Sequence, residues 1–178
     1  WTTSWGLSTR FIGAIIMVHG DDQGLVMPPR LAPHQVVIVP ISKTDEEKAA
    51  VMEAVRAVRA ELTAADIRVK VDDREGLTPG FKFNDWEMRG VPLRLEVGPK
   101  DLAKGTVALA RRDKPGREGK SFVSREGLAA TVAAMLKDIQ QSLFDRALAF
   151  REANTLDPKD YAEFKTAVEK GFALSYWC

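Results

Sequence analysis

The amino-acid sequence predicts an α/β fold, a mixed sheet with helices packed against it. Residues 36–41 form a near-continuous apolar run, which is typical of a strand buried on both faces. Residues 67–71 and 93–97 alternate apolar and charged side chains, which indicates strands with one polar side. Between these strands, residues 50–62 carry apolar side chains at helical spacing. The pattern predicts the order β-α-β-α-β-β-β-α over about 115 residues.

Local signals predict where the helices begin. Thr44 is a suitable N-cap, and Glu47 three residues later completes a capping box. Thr78 and Pro79 begin a second helix, which contains Trp86. We interpret Trp86 as a core residue rather than as a surface for stacking.

The second half of the chain is predicted to contain a hairpin and two helices. Residues 106–111 and 119–123 form the hairpin around a turn at 113–116. A long helix then runs to about residue 153 and spans roughly 40 Å. In the last segment, 157–178, a helix leads into a strand at 172–177.

Residues 1–33 differ in pattern from the rest of the chain. A strand at 1–5 is predicted to end at Gly6, and a helix with an apolar face comes after it. Residues 19–24 form a turn, in which aspartates commonly bond their own backbone, so we predict a turn there rather than a metal site. A short strand at 24–27 ends at two prolines, and Pro33 marks a boundary.

Composition restricts the class of protein. Apolar residues at 45% and charged residues at 29% of 178 are ordinary for a globular domain. The single cysteine, Cys178, rules out a disulfide within the chain. We find neither a secretory leader pattern nor an apolar run of the ~20 residues that a membrane helix needs, so we predict a cytoplasmic location and no membrane partner. Because the chain opens on Trp1 without a methionine, we expect it to be part of a longer polypeptide.

Positive charge is concentrated in one region although the net charge is only +1. From Arg89 to Lys120 there are nine Lys or Arg residues and four Asp or Glu residues. Such an excess indicates a phosphate-binding face, but exposed loops are also often basic without any ligand. Both interpretations stay open on charge alone.

Four charged residues near a strand end form a candidate base-reading group: Glu87, Arg94, Lys100 and Asp101. Guanine offers acceptors on one edge and donors on the other, so a protein reads it with Arg or Lys and a carboxylate. Arg94 points away from the buried side of its strand, and Lys100 and Asp101 follow on a loop. The alternative is a surface ion-pair cluster without a ligand.

A second candidate site lies around Ser4, Gly6, Ser8 and Arg10. A glycine at a strand end lets a flat ring approach the backbone, and a guanidinium near a helix N-terminus suits a phosphate. The alternative is that Gly6 is an ordinary helix cap and Arg10 a solvated charge.

Residues 5–10, followed by Ile12, Gly13 and the run 19–30, resemble motif 3 of class II prolyl-tRNA synthetases of the archaeal/eukaryote-like type. The similarity runs essentially along the whole chain. It implies the end of a class II catalytic domain at 1–33, a strand-helix remnant. It also implies an anticodon-binding domain at 34–150 and the start of a C-terminal zinc-binding domain at 151–178.

The resemblance also implies roles for single residues. Ser8 and Arg10 would bind ATP, and Ser4 and Gly6 would line the proline and adenylate pocket. The charged group would contact the two guanines of proline anticodons; it comprises Glu87, Arg94, Lys100 and Asp101. Cys178 would be the first ligand of a zinc site that this chain cannot complete, since a structural site needs about four ligands.

A parent enzyme of this family would use ATP and Mg²⁺, activate L-proline, charge tRNA(Pro) and be a homodimer. We expect this chain alone to be inactive and chiefly to bind the anticodon. One alternative is a non-catalytic RNA-binding module of the same fold. A stand-alone doubly wound nucleotide enzyme is disfavoured, because Ser42, Lys43 and Thr44 follow the first strand in place of a glycine-rich loop.

Overall fold

The computed structural model describes residues 2–42, 44–114 and 116–176. The chain divides into two compact units, residues 1–140 and 141–178. The first unit contains a five-stranded sheet in the order β2-β1-β3-β4-β5. Its strands are β1 (Val36–Pro40), β2 (Val69–Val71), β3 (Leu93–Val97), β4 (Thr106–Arg111) and β5 (Lys120–Ser124). Strand β1 is parallel to β2 and β3, whereas β3, β4 and β5 are antiparallel, so the predicted mixed sheet is confirmed.

Five helices accompany the sheet: α1 (Arg10–His19), α2 (Asp45–Ala64), α3 (Pro79–Met88), α4 (Pro99–Ala103) and α5 (Leu128–Ala153). Thr44 and Thr78 are confirmed as the N-caps of α2 and α3. Thr44 Oγ1 accepts from the backbone N of Glu47 at 3.3 Å, and Thr78 Oγ1 accepts from that of Phe81 at 3.3 Å. No helix in the described ranges is long and apolar enough to cross a membrane.

The two faces of the sheet are packed differently. One face carries the main core, in which Ile38, Leu95 and Leu109 are fully buried against α2 and the beginning of α5. On the other face, Val37 and Val39 pack against Trp86 of α3, which confirms Trp86 as a core residue. Because side chains alternate along a strand, this second face continues over β3, β4 and β5. There it carries Arg94, Glu96, Ala108, Ala110, Lys120 and Phe122.

The strands predicted at 1–5 and 24–27 are wrong for the residues described. Residues 2–7 have no regular structure, because a strand needs a neighbour for its hydrogen bonds and none of the described strands lies beside them. Residues 25–27 bond the end of a helix instead of a strand. The backbone N of Leu25 donates to Met88 O at 3.1 Å, and that of Met27 donates to Gly90 O at 3.0 Å.

Helix α4 was also absent from the sequence prediction, which placed Lys100 and Asp101 on a loop. Gly98 is the N-cap and Pro99 the first residue of this single turn. Proline is favoured there because the first helical N–H has no partner within the helix. Lys100 and Asp101 are therefore held on a short helix.

The second unit contains the end of α5 and a small α/β element: β6 (Thr155–Leu156), α6 (Tyr161–Lys170) and β7 (Phe172–Ala173). The predicted helix is confirmed, and Asp160 Oδ1 caps it by accepting from Glu163 N at 2.9 Å. The predicted strand at 172–177 is shorter than expected and is parallel to β6, which the sequence prediction missed. Cys178 lies outside the described residues.

Candidate nucleic-acid interface

Arg94 occupies the second face of the sheet and is fixed from three sides. Its Nη1 donates to Glu87 Oε1 at 2.5 Å, and its Nε donates to Glu96 Oε1 at 3.1 Å. The guanidinium carbon lies 4.0 Å from the centroid of the Phe83 ring, a cation–π arrangement. Only 13% of the Arg94 side chain is exposed. The guanidinium therefore has a defined position and orientation.

Glu96 extends this arrangement across the sheet. Its side chain is buried, and its second oxygen, Oε2, accepts from Lys120 Nζ at 2.7 Å. Lys120 thus reaches from β5 over β4 to β3. We call the five residues together the Arg94 cluster: Phe83, Glu87, Arg94, Glu96 and Lys120.

Three members of the Arg94 cluster were missed by the sequence analysis. Glu96 follows Arg94 by two residues and so shares its strand face, and Phe83 precedes Glu87 by four residues and so shares its helix face. Both relations could have been read from the sequence. The contact of Lys120 depends on the pairing of three strands, which no local signal in the sequence gives.

Lys100 and Asp101 occupy a different place. They lie on α4, beyond the carboxyl end of β3. In the part of the chain that the structure describes, no hydrogen bond or ion pair joins them to Glu87 or Arg94. Gly98 follows Arg94 by four residues, about 13 Å along an extended strand. The four predicted residues therefore form two groups, the Glu87–Arg94 pair and the α4 pair.

A buried polar network anchors the helix that carries Phe83 and Glu87. Asp72 accepts from Trp86 Nε1 at 2.8 Å and from Arg74 Nη2 at 2.7 Å, and Lys82 Nζ donates to Asp72 O at 3.1 Å. The hydrogen bond from Arg74, assisted by that from Trp86, holds the pKa of Asp72 well below its ordinary value. Asp72 is therefore charged at neutral pH and fixes one side of α3 to the sheet.

Arg112 fixes the other end of α3. Its side chain is buried and donates from both terminal nitrogens to Asp21, at 2.7 and 2.6 Å. Its Nε donates to Glu87 O at 3.0 Å. Arg68 makes a similar link, since it donates to Pro29 O at 2.8 Å and to Ala32 O at 2.9 Å. Residues 21–32 are thereby attached to the sheet.

Much of the local positive charge is already neutralised. Arg111 binds Asp113 and Asp138; its hydrogen bonds to them raise the pKa of Arg111, and the bond from Arg111 lowers that of Asp138. Arg89 binds Asp85 at 3.1 Å. The sequence count therefore overstates the phosphate-binding charge of this region. Exposed cations of this region that take part in none of these contacts include Lys100, Lys104, Lys114 and Arg117.

The second predicted site is open to solvent. Ser4, Gly6, Ser8 and Arg10 are all exposed, and Arg10 is the first residue of α1, at the helix N-terminus where the sequence places it. Its backbone N donates to Ser8 Oγ at 3.4 Å. Within the described ranges, no group of three or more His, Cys, Asp or Glu side chains could hold a metal ion. Arg10 and Ser8 offer one guanidinium and one hydroxyl, which do not by themselves complete a site for ATP with Mg²⁺, and we assign no chemical step to either.

Comparison with known proteins supports the resemblance noted in the sequence. The family described as "Anticodon binding domain" matches residues 35–135, which hold all five strands of the sheet and α2, α3 and α4. The chain is 64% identical over 177 residues to the "Proline--tRNA ligase" of Roseiflexus castenholzii, covering 99% of this chain and 37% of that protein. It is 52% identical over 174 residues to the "Proline--tRNA ligase, chloroplastic/mitochondrial" of Arabidopsis thaliana, covering 96% of this chain and 32% of that protein.

The chain therefore spans about 37% of the length of the bacterial relative. The match to the family extends over more than half of this chain and includes the strand and helix that carry the Glu87–Arg94 pair. The chain belongs to the anticodon binding domain family.

Proposed function

We propose that this chain is the anticodon-binding part of a proline–tRNA ligase and that it reads the guanines of the tRNA(Pro) anticodon. The observation that carries the proposal is the Glu87–Arg94 pair, stacked on Phe83 at the sheet surface. Identity of 64% to a protein named as a proline–tRNA ligase supports the choice of amino acid.

The two charged groups suit two guanines. Guanine has acceptors at N7 and O6, which Arg and Lys satisfy, and donors at N1 and N2, which a carboxylate satisfies. Arg94 and Glu87 provide one such set, and Lys100 and Asp101 provide another. The separation of the two sets, one on β3 and α3 and the other on α4, suits bases that are unstacked and splayed, as single-stranded RNA allows.

The remaining roles belong to the same proposal. We infer a catalytic-domain end at 1–33, with Ser8 and Arg10 at ATP and Ser4 and Gly6 at the proline pocket. The anticodon-binding domain would be 34–150, and 151–178 would begin a zinc domain with Cys178 as its first ligand. Such a parent would activate proline with ATP and Mg²⁺ in the cytoplasm as a homodimer.

Binding to short hairpins tests the proposal. Fluorescence anisotropy would compare the proline anticodon stem-loop with hairpins in which either guanine is replaced by adenine. Arg94→Lys keeps the positive charge but removes the planar guanidinium, which can donate two parallel hydrogen bonds. We expect this variant to reduce the preference for one guanine by about 1–3 kcal/mol. Its dependence on salt should stay nearly unchanged.

A matched control is Arg117→Ala, which removes an exposed cation on the β4–β5 hairpin. We expect it to weaken all hairpins alike and to reduce the salt dependence. If Arg94→Lys behaved like this control, Arg94 would be a backbone contact and the base-reading role would be wrong. If the unaltered chain bound all hairpins equally, the proposed function itself would fail.

A further inference from the structure

The side chain of Phe122 lies on the second face of the sheet and is 65% exposed. It is on β5, directly opposite Ala108 of β4, and the next residue, Val123, packs into the main core. The ring therefore contributes little to the core. Lys120 Nζ lies 5.8 Å from its centroid.

An exposed phenylalanine at this position is unfavourable unless it has a partner. Strand β5 is at the edge of the sheet. Edge strands are usually protected by charged side chains, because an exposed apolar edge promotes aggregation. Isolated apolar side chains are common on protein surfaces. This ring, however, borders the Arg94 cluster, whose charges suit a nucleobase.

The ring is continuous with the Arg94 cluster. Lys120, beside the ring, binds Glu96, which binds Arg94. Between β3 and β5 the second face carries two small side chains, Ala108, which is buried, and Ala110, which is partly exposed. Two strand spacings separate Arg94 from β5, about 10 Å. A strand of RNA with one base at Arg94 can therefore place a neighbouring base at Phe122.

We propose that Phe122 is a stacking platform for an unpaired base that flanks the guanine doublet. The inference rests on the proposed function and adds a contact that reads no base edge. Stacking on an aromatic ring tolerates any base, since every base has a π-face. The exposed cations Lys114 and Arg117 of the β4–β5 hairpin supply the positive charge that the adjoining phosphates require.

The test uses the 178-residue chain and the labelled proline anticodon stem-loop. Phe122→Leu keeps an apolar side chain but removes the ring, and Phe122→Tyr keeps the ring. Phe150→Leu is the matched control, because Phe150 is 64% exposed and lies on α5. We expect Phe122→Leu to weaken binding about 5- to 100-fold, and Phe122→Tyr and Phe150→Leu to bind like the unaltered chain.

Abasic hairpins locate the stacked base. Removing the base that stacks on Phe122 should weaken binding to the unaltered chain but have no further effect on Phe122→Leu. The proposal that Phe122 stacks on a base is refuted if Phe122→Leu binds the hairpin normally. It is also refuted if the loss of binding caused by Phe122→Leu adds to the loss caused by every abasic position. Phe122→Leu should also keep its preference for the two guanines. If the unaltered chain showed no preference for the two guanines, the proposed function would be refuted instead.

Discussion

Replacing Glu96 by glutamine would test how Arg94 is held. The carboxylate is 5% exposed and accepts from Arg94 Nε at 3.1 Å and from Lys120 Nζ at 2.7 Å. Glutamine has nearly the same shape, but it carries no charge and offers an N–H₂ group where a second acceptor is needed. One of the two cations must therefore lose its partner.

The size of the effect depends on these two bonds. A hydrogen bond to a charged group contributes about 1.5–3 kcal/mol, and the remaining bond becomes roughly half as strong when the acceptor is neutral. Lys120 is 38% exposed and can turn towards water, which reduces the loss. We expect Glu96→Gln to lower the free energy of unfolding by about 2–3 kcal/mol. We also expect about a tenfold smaller preference for the guanine that we propose Arg94 to read.

Urea unfolding followed by tryptophan fluorescence measures the first effect, and anisotropy with paired hairpins measures the second. Glu118→Gln, an exposed position on the β4–β5 hairpin, is the control and should change neither. If stability fell while guanine preference stayed the same, Glu96 would be purely structural. If neither changed, the chain of contacts from Arg94 to Lys120 would not exist in solution.

Three further predictions concern the surroundings of the site. Asp72→Asn should lower the free energy of unfolding at pH 7 by about 2–4 kcal/mol, because a buried network loses its charge. Since the folded pKa of Asp72 lies below its ordinary value of 3.8, its contribution is present above that pH and is lost on acidification through the folded pKa. The urea midpoints of the variant should therefore begin to approach those of the unaltered chain below about pH 4, and a constant difference down to about pH 2.5 would contradict this account. Arg112→Ala should raise amide hydrogen exchange at residues 21–27 more than elsewhere in the first unit, and uniform exchange would be evidence against the link. The chain should show no ATP–pyrophosphate exchange with proline, because Arg10 and Ser8 alone cannot organise a triphosphate; exchange above a heat-treated sample would overturn this.

The order of strands and helices was predictable because its signals are local. The apolar run of β1, the alternation in β3 and the caps Thr44 and Thr78 each depend on a few neighbouring residues. In these elements the local signals and the final fold agree.

The errors arose where a segment depends on distant partners. Residues 25–27 have β-like composition, yet their amides bond the carbonyls of Met88 and Gly90 at the end of α3. The bond between Lys120 and Glu96 requires the register of three strands. Composition and spacing carry no information about either contact.

Stability alone is a weak reason for the charges of the Arg94 cluster. A partly buried ion pair must recover the cost of removing both charges from water, and apolar replacements are often neutral or stabilising. Here Arg94 is mostly buried between two carboxylates, and Glu87 remains 35% exposed. A ligand that offers both acceptors and donors can exchange bonds with this pair without leaving either charge unpaired. Guanine is such a ligand, whereas a phosphate would satisfy Arg94 and repel Glu87 and Glu96. The alternation of acid and base in the Arg94 cluster therefore favours a base edge over the backbone as its partner.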